Sequence, residues 1–218
     1  MKGLVRGILK LPKCQIGKKK FFSNYCIAAR LIYSSIKSAK AIMIMSSQQS
    51  FIKTFHELHT QGDPLVLYNI WDPGSAKAVA AAGAKSLATG SAPVAMARGY
   101  PDGEKIPLEW SLTNVERIIG TVELPVSLDL EGGYGKEPTA VEKSVKQAVA
   151  TGIVGFNFED QIVGGEGLYD IATQTERVAA ARNAADSVPG GPFVNARTDI
   201  FLKAKPDTHT DSMLSEAI

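Results

Sequence analysis

Five short apolar runs recur along the chain, each followed by a stretch of helical periodicity, and this alternation limits the fold more than any other feature of the sequence. The runs are Leu65 to Tyr68, Ser86 to Ala88, Val126 to Leu128, Val154 to Phe158, and Phe193 to Ala196. Strands of that length separated by helical patterns read as βαβ units, which produce a parallel sheet. The reactive side chains then fall at one end of every unit. Asp72 follows the first run; Thr89, Gly90 and Ser91 follow the second; Asp129 and Glu131 the third; Glu159 and Asp160 the fourth; Arg197 and Asp199 the fifth. Parallel strands bring these carboxyl ends to one rim. An open doubly wound sheet would confine a ligand site to one topological switch, whereas a barrel draws on every loop. The expected fold is α/β, of the (β/α)8 TIM-barrel type, with about five of the eight strand-helix units legible.

Helix punctuation supports the alternation. Asp72-Pro73 places a capping acid before a proline at the first helical position, and Gly83 closes that helix. Thr113 with Glu116, Thr139 with Glu142, and Thr173 with Glu176 match the capping-box spacing, and Gly120 and Gly152 stop the first two of those helices. Within 140–151, Val141, Val145, Ala148 and Val149 share one face, as expected for a helix lying on a sheet. Phe51, Ile52, Phe55 and Leu58 recur at helical spacing and predict a helix that opens the domain. A closed barrel needs three more strands than are legible, and its open edges would be exposed to pairing, so the chain is expected to be part of a longer reading frame.

Charge divides the chain in two. Residues 1–44 hold ten Lys and Arg and no acid, which leaves 14 basic and 22 acidic residues in 45–218. The first segment reads as a basic leader. It is either upstream sequence ahead of a start at Met45, a transit peptide, or a basic arm for lipid or polyanions. The acidic body argues against nucleic acid, whose phosphates are bound through clustered Lys and Arg. Both cysteines, Cys14 and Cys26, lie in the leader, so the body is expected to suit a reducing cytoplasm. No apolar run approaches the roughly 18 residues that would span a bilayer, and no membrane partner is expected.

The segment Asp129-Leu130-Glu131-Gly132-Gly133-Tyr134-Gly135 sets two carboxylates two residues apart at a strand end, on the same side of the strand. Like charges held together need a cation or a proton between them. Oxygen-only ligation suits Mg2+, with Mn2+ as the alternative, and Glu159 from the next strand would complete the set. The competing reading is a solvated acidic loop. Arg197 offers a planar fork to a substrate carboxylate, unless Glu159 or Asp199 occupies it. Thr89-Gly90-Ser91 reads as a turn or as a donor loop. Asp102, in Gly99-Tyr100-Pro101-Asp102-Gly103, reads as a turn, and Asp72 as a helix cap. No role is assigned to His56, His59 or His209.

Three segments together resemble the isocitrate lyase/phosphoenolpyruvate mutase superfamily. Asp129-Leu-Glu131-Gly-Gly-Tyr-Gly is similar to its metal-binding Asp-x-Asp-x-Gly-Tyr-Gly segment, Phe158-Glu159-Asp160 to its Glu-Asp, and Asn195-Ala-Arg197-Thr-Asp199 to its Ala-Arg-Thr-Asp strand. The resemblance runs from about Met45 onward. It implies that Asp129 binds Mg2+ most directly, with Glu131 and Glu159 acting through water. It also implies that Thr89, Gly90, Ser91 and Arg197 hold substrate, with Arg197 catalytic as well, and that Asp102 is the catalytic residue of a gating loop that closes over substrate and can assist proton or group transfer. Two departures stand out. Glu131 replaces the more usual Asp, and Gln161 to Asp170 contains no Cys, Lys or His where lyases of this superfamily carry Lys-Arg-Cys-Gly-His.

The resemblance thus implies a Mg2+-dependent lyase or mutase acting on a C–C or C–P bond of a small α-oxo or enolpyruvate-type carboxylate, homo-oligomeric at full length. A truncated, non-catalytic or association-dependent product and a class II aldolase-like barrel are the alternatives.

Overall fold

The computed structural model describes residues 47–217, so the expected basic leader over 1–44 lies outside the described residues. A first helix, α1, covers 47–58. Its apolar stripe buries Ile52 and Phe55 against Val154, with Phe193 beside them. The rings of Phe55 and Phe193 meet edge to face at 5.8 Å, and His59 stacks on Phe193 at 4.2 Å. Gln48 Nε2 donates to Ile153 O at 2.9 Å and to Val149 O at 2.8 Å, the latter already accepting the Gly152 amide, and so ties α1 to the turn before β4. These contacts sit at the amino-terminal ends of the strands, opposite the rim, so His56 and His59 belong to packing.

Five strands follow: β1 Tyr68–Ile70, β2 Leu87–Thr89, β3 Val126–Asp129, β4 Gly155–Glu159 and β5 Phe193–Arg197. All pair in parallel in the order β1-β2-β3-β4-β5. Among the described residues, sequential order without reversal leaves no topological switch point, so the sheet is a barrel wall and not a doubly wound sheet. The ladders are uneven: β2 and β3 share two register pairs, β4 and β5 five. The connections carry α2 Pro73–Ala81, α3 Ser91–Met96, α4 Leu108–Ile119, α5 Pro138–Val149 and α6 Ile171–Ala185; α7 Ile200–Lys203 and α8 Asp211–Ala217 come after β5. No helix among the described residues is long and apolar enough to cross a membrane.

Period-two alternation sorts the strands into two faces. Leu128, Phe156 and Phe158 pack under the helices with Val141, Val145, Ala148, Ala181 and Ala184, all buried. The register places Ser127 beside Gly155, Asp129 beside Asn157, Asn157 beside Asn195, and Glu159 beside Arg197 on the other face. That face is polar toward the rim.

Two expectations are corrected. The first strand forms at Tyr68–Ile70, not over Leu65 to Tyr68, because Tyr68 is the first residue with a ladder partner on β2; Leu65 and Leu67 pack toward α1 instead. The threonine capping boxes do not form. α4 starts after Pro107 and α5 opens with Pro138, so Thr113 and Thr139 lie inside helices. At α6, Asp170 is the cap and accepts the Thr173 amide at 2.9 Å, as the stronger acceptor at that position. The cap at Asp72 does form: Ser75 N–H donates to Asp72 Oδ1 at 2.7 Å, and Asp72 N–H donates to Ser75 Oγ at 3.1 Å. Asp72→Ala should therefore lower stability by about 1 kcal/mol in chemical denaturation without changing metal binding.

Candidate active site

Asp129 ends β3 and is held from β2. Its backbone N–H donates to Thr89 Oγ1 at 2.9 Å, and Ser91 N–H donates to Asp129 Oδ2 at 2.9 Å. The loop 89–91 thus orients Asp129. A Cβ at Gly90 would lie 2.9 Å from Asn69 Nδ2 and 3.0 Å from Pro93 Cγ, so a larger residue there would have to displace the Asn69 side chain. Asp129 Oδ1 is buried with no hydrogen-bond partner. A carboxylate oxygen in that condition is costly unless something absent from the chain meets it.

Two residues on, the backbone folds into a tight turn. Glu131, only 4% exposed, has φ 53°, and Tyr134 has φ 55°. Each non-glycine residue in this region costs on the order of 1–2 kcal/mol. Gly133 at φ +85° has no room for a side chain, because a Cβ would stand 2.7 Å from the Phe158 ring. Glu131 Oε2 accepts the Glu104 amide at 2.7 Å, and Glu104 Oε1 accepts the Tyr134 amide at 2.7 Å. Behind the turn, the fully buried Arg177 of α6 donates to Gly132 O at 2.6 Å, to Gly135 O at 2.7 Å and to Lys136 O. Its guanidinium lies 4.0 Å from the Tyr169 ring centroid.

At the end of β4, Glu159 is 2% exposed. It accepts from Gln161 Nε2 at 2.5 Å and pairs with Arg197 Nη2 at 2.5 Å. Arg197 also donates from Nε to Asp199 Oδ1 at 2.8 Å. Arg197 is thus engaged by both acids named as its competing partners, because leaving buried Glu159 and Asp199 unpaired would cost more than sharing one guanidinium. Its side chain remains 37% exposed. Asp160 Oδ1 accepts the Asp199 amide at 2.8 Å and fixes the turn after β5.

Burial pushes the Glu131 carboxyl up to about 7, opposed by the Glu104 amide and reinforced by the charges of Asp102, Glu104 and Asp129. Burial also raises Glu159, opposed by Gln161 and Arg197, with Asp129 and Asp199 adding to the rise. Asp129 is thus within electrostatic reach of both glutamates, and exposed Asp102 reaches Glu131 from the 99–107 loop.

Among the described residues, no three His, Cys, Asp or Glu side chains stand as a ready-made metal cage. Mg2+ does not require one, since it is held by one or two carboxylates and keeps several waters. The orphaned Asp129 oxygen beside two carboxyls that resist ionisation fits a hydrated divalent cation.

A pH dependence follows. A carboxyl raised on folding contributes stability that is complete below about 4.5 and is lost as pH rises through about 7. The metal-free protein should therefore melt higher at pH 5 than at pH 7.5 in respect of these groups, and Mg2+ should raise the midpoint at pH 7.5 but hardly at pH 5. Equal Mg2+ effects at both values would count against the site.

Glu104, Gln161 and Arg177 were not singled out as site residues from the sequence. Only Arg177 left a trace: it lies on the helical stripe with Ala181 and Ala184, a charge on an otherwise small, buried face.

The family model for phosphoenolpyruvate phosphomutase matches residues 55–218. A crystal structure of a candidate phosphonomutase from Burkholderia cenocepacia superposes with a TM-score of 0.74 at 41% identity, covering 78% of this chain and 67% of the other. An uncharacterized protein of Mycobacterium tuberculosis is 35% identical over 156 residues, 71% of this chain. The 2-methylisocitrate lyase of Escherichia coli is 29% identical over 153 residues, 67% of this chain. The chain spans 57% of the length of the mycobacterial protein and 52% of that lyase.

Proposed function

The chain belongs to the phosphoenolpyruvate phosphomutase family, and from that premise we propose that it acts as a Mg2+-dependent lyase or mutase on a C–C or C–P bond of a small α-oxo or enolpyruvate-type carboxylate. The observation that carries this reading is the buried, unpartnered Asp129 Oδ1 at the rim that also bears Glu131, Glu159 and Arg197. Asp129 would hold the cation, with Glu131 and Glu159 acting through water. When bound, Mg2+ supplies positive charge against the oxyanion that builds next to the bond being made or broken.

The chain's own groups do the rest. Arg197, steadied by Glu159 and Asp199, presents a positive edge for the substrate carboxylate. Thr89 and Ser91 keep Asp129 aimed, which matters because small displacements of a catalytic constellation are expensive in rate. Asp102, exposed on its loop, is the group available to move a proton over the site. Gln161 to Asp170 supplies no thiol, amine or imidazole, which disfavours chemistry that needs a cysteine proton donor and favours a substrate whose leaving group needs none.

The test is a screen of α-oxo acids, 2-hydroxy di- and tricarboxylates and phosphonates for pyruvate-type product, run with Mg2+ and with chelator. Turnover that ignores the chelator, or purified protein with no Mg2+ affinity by calorimetry, would refute the proposal.

A further inference from the structure

Among the described residues, three non-glycine residues adopt the left-handed backbone region, Glu104, Glu131 and Tyr134, and they are bonded to one another. Glu104 gives its amide to the Glu131 carboxylate, and its own carboxylate takes the Tyr134 amide, both at 2.7 Å. Backbone strain of this kind persists only where the surroundings over-determine it, and it gathers at functional sites. The surroundings here are opposite charges on opposite sides of one turn. Arg177 holds carbonyls of Gly132, Gly135 and Lys136 from α6, while Glu104 holds an amide of the same turn from the 99–107 loop. The two charged groups also attract each other across it.

We propose that Glu104 is a positioning residue for the cation site: it docks the loop bearing Asp102 onto the acid turn and, against Arg177, holds Glu131 where a cation's water can reach it. The bond from Glu104 occupies one of the two Glu131 oxygens and leaves the other for that water. Glu104 itself touches neither metal nor substrate. The proposal rests on the Mg2+ reading above and adds to it a reason for the longer acid at position 131. A carboxylate that serves the neighbouring loop and the cation's water together has to reach further than one that serves the water alone.

The test compares Glu104→Ala with Glu104→Gln in the whole chain, reading Mg2+ affinity by calorimetry and amide exchange at Tyr134. E104A should bind Mg2+ about tenfold more weakly and exchange faster at Tyr134, while E104Q, which keeps a carbonyl acceptor, should return both to within roughly threefold of wild type. A merely structural Glu104 would lower the melting point and leave Mg2+ affinity alone. Unchanged affinity in E104A, or equal losses in E104A and E104Q, overturns the proposal. Should E104A fail to fold, wild-type exchange decides: amides of Glu104 and Tyr134 slower than that of Asp102 support it, and equal rates overturn it. Wild type that binds no Mg2+ refutes the cation reading, a result distinct from wild type and E104A binding it equally.

Discussion

Arg177→Met should destabilise the protein by about 3–5 kcal/mol, the largest effect of any single substitution considered for this fold. Methionine fills much of the volume, so the loss comes from the polar partners and not from a cavity. Three backbone carbonyls, at Gly132, Gly135 and Lys136, would lose a fully buried donor, and Gln174 Oε1 would lose the Arg177 Nε–H at 3.0 Å. Each buried acceptor left bare costs about 1–3 kcal/mol. Arg177→Lys should recover only part of this, because a compact ammonium cannot span acceptors that a planar fork reaches together. Denaturant titration at unchanged slope measures both. A loss below about 1 kcal/mol in R177M would mean that water enters the turn and satisfies it.

Asp129→Asn should reduce Mg2+-dependent turnover by about a thousandfold, equivalent to roughly 4 kcal/mol of transition-state stabilisation. The substitution keeps shape and one carbonyl oxygen, so the Ser91 amide retains an acceptor and the fold should survive. What it removes is the charge beside the unpartnered oxygen. Calorimetry should show Mg2+ affinity falling in parallel. A variant with intact Mg2+ affinity and turnover would move the metal site elsewhere on the rim, while intact affinity with lost turnover would leave Asp129 a different task.

The barrel rhythm was legible because burial on a parallel sheet selects runs that sequence displays directly: four of the five strands begin within one residue of the expected position. The exception, β1, shows the limit. Leu65 and Leu67 are apolar for α1 and not for the sheet, and composition does not distinguish the two. The threonine caps failed for a local reason, since Pro107, Pro138 and Asp170 start their helices earlier than the box motif implied. At the site, Asp129, Glu131, Glu159 and Arg197 announced themselves by following strands. Glu104 and Arg177 did not, because they act on a turn 30 and 45 residues away in sequence, which no window along the chain brings together. That Glu159 or Asp199 could engage Arg197 was legible from their places at neighbouring strand ends; that both do so at once is a product of burial, which made both acids seek one cation.

The two-rung pairing of β2 with β3 makes Asp129 a rivet as well as a ligand candidate. Its side chain and its amide each fasten to the β2 end, at Ser91 and Thr89, where the ladder itself has run out. Selection for a new reaction therefore cannot freely trade this carboxylate away, because loosening it would part the wall at its thinnest joint. Variation in chemistry is pushed toward exposed Asp102 and the exposed stretch 164–167, since Gln161, Tyr169 and Asp170 are themselves tied to Glu159, Arg177 and α6.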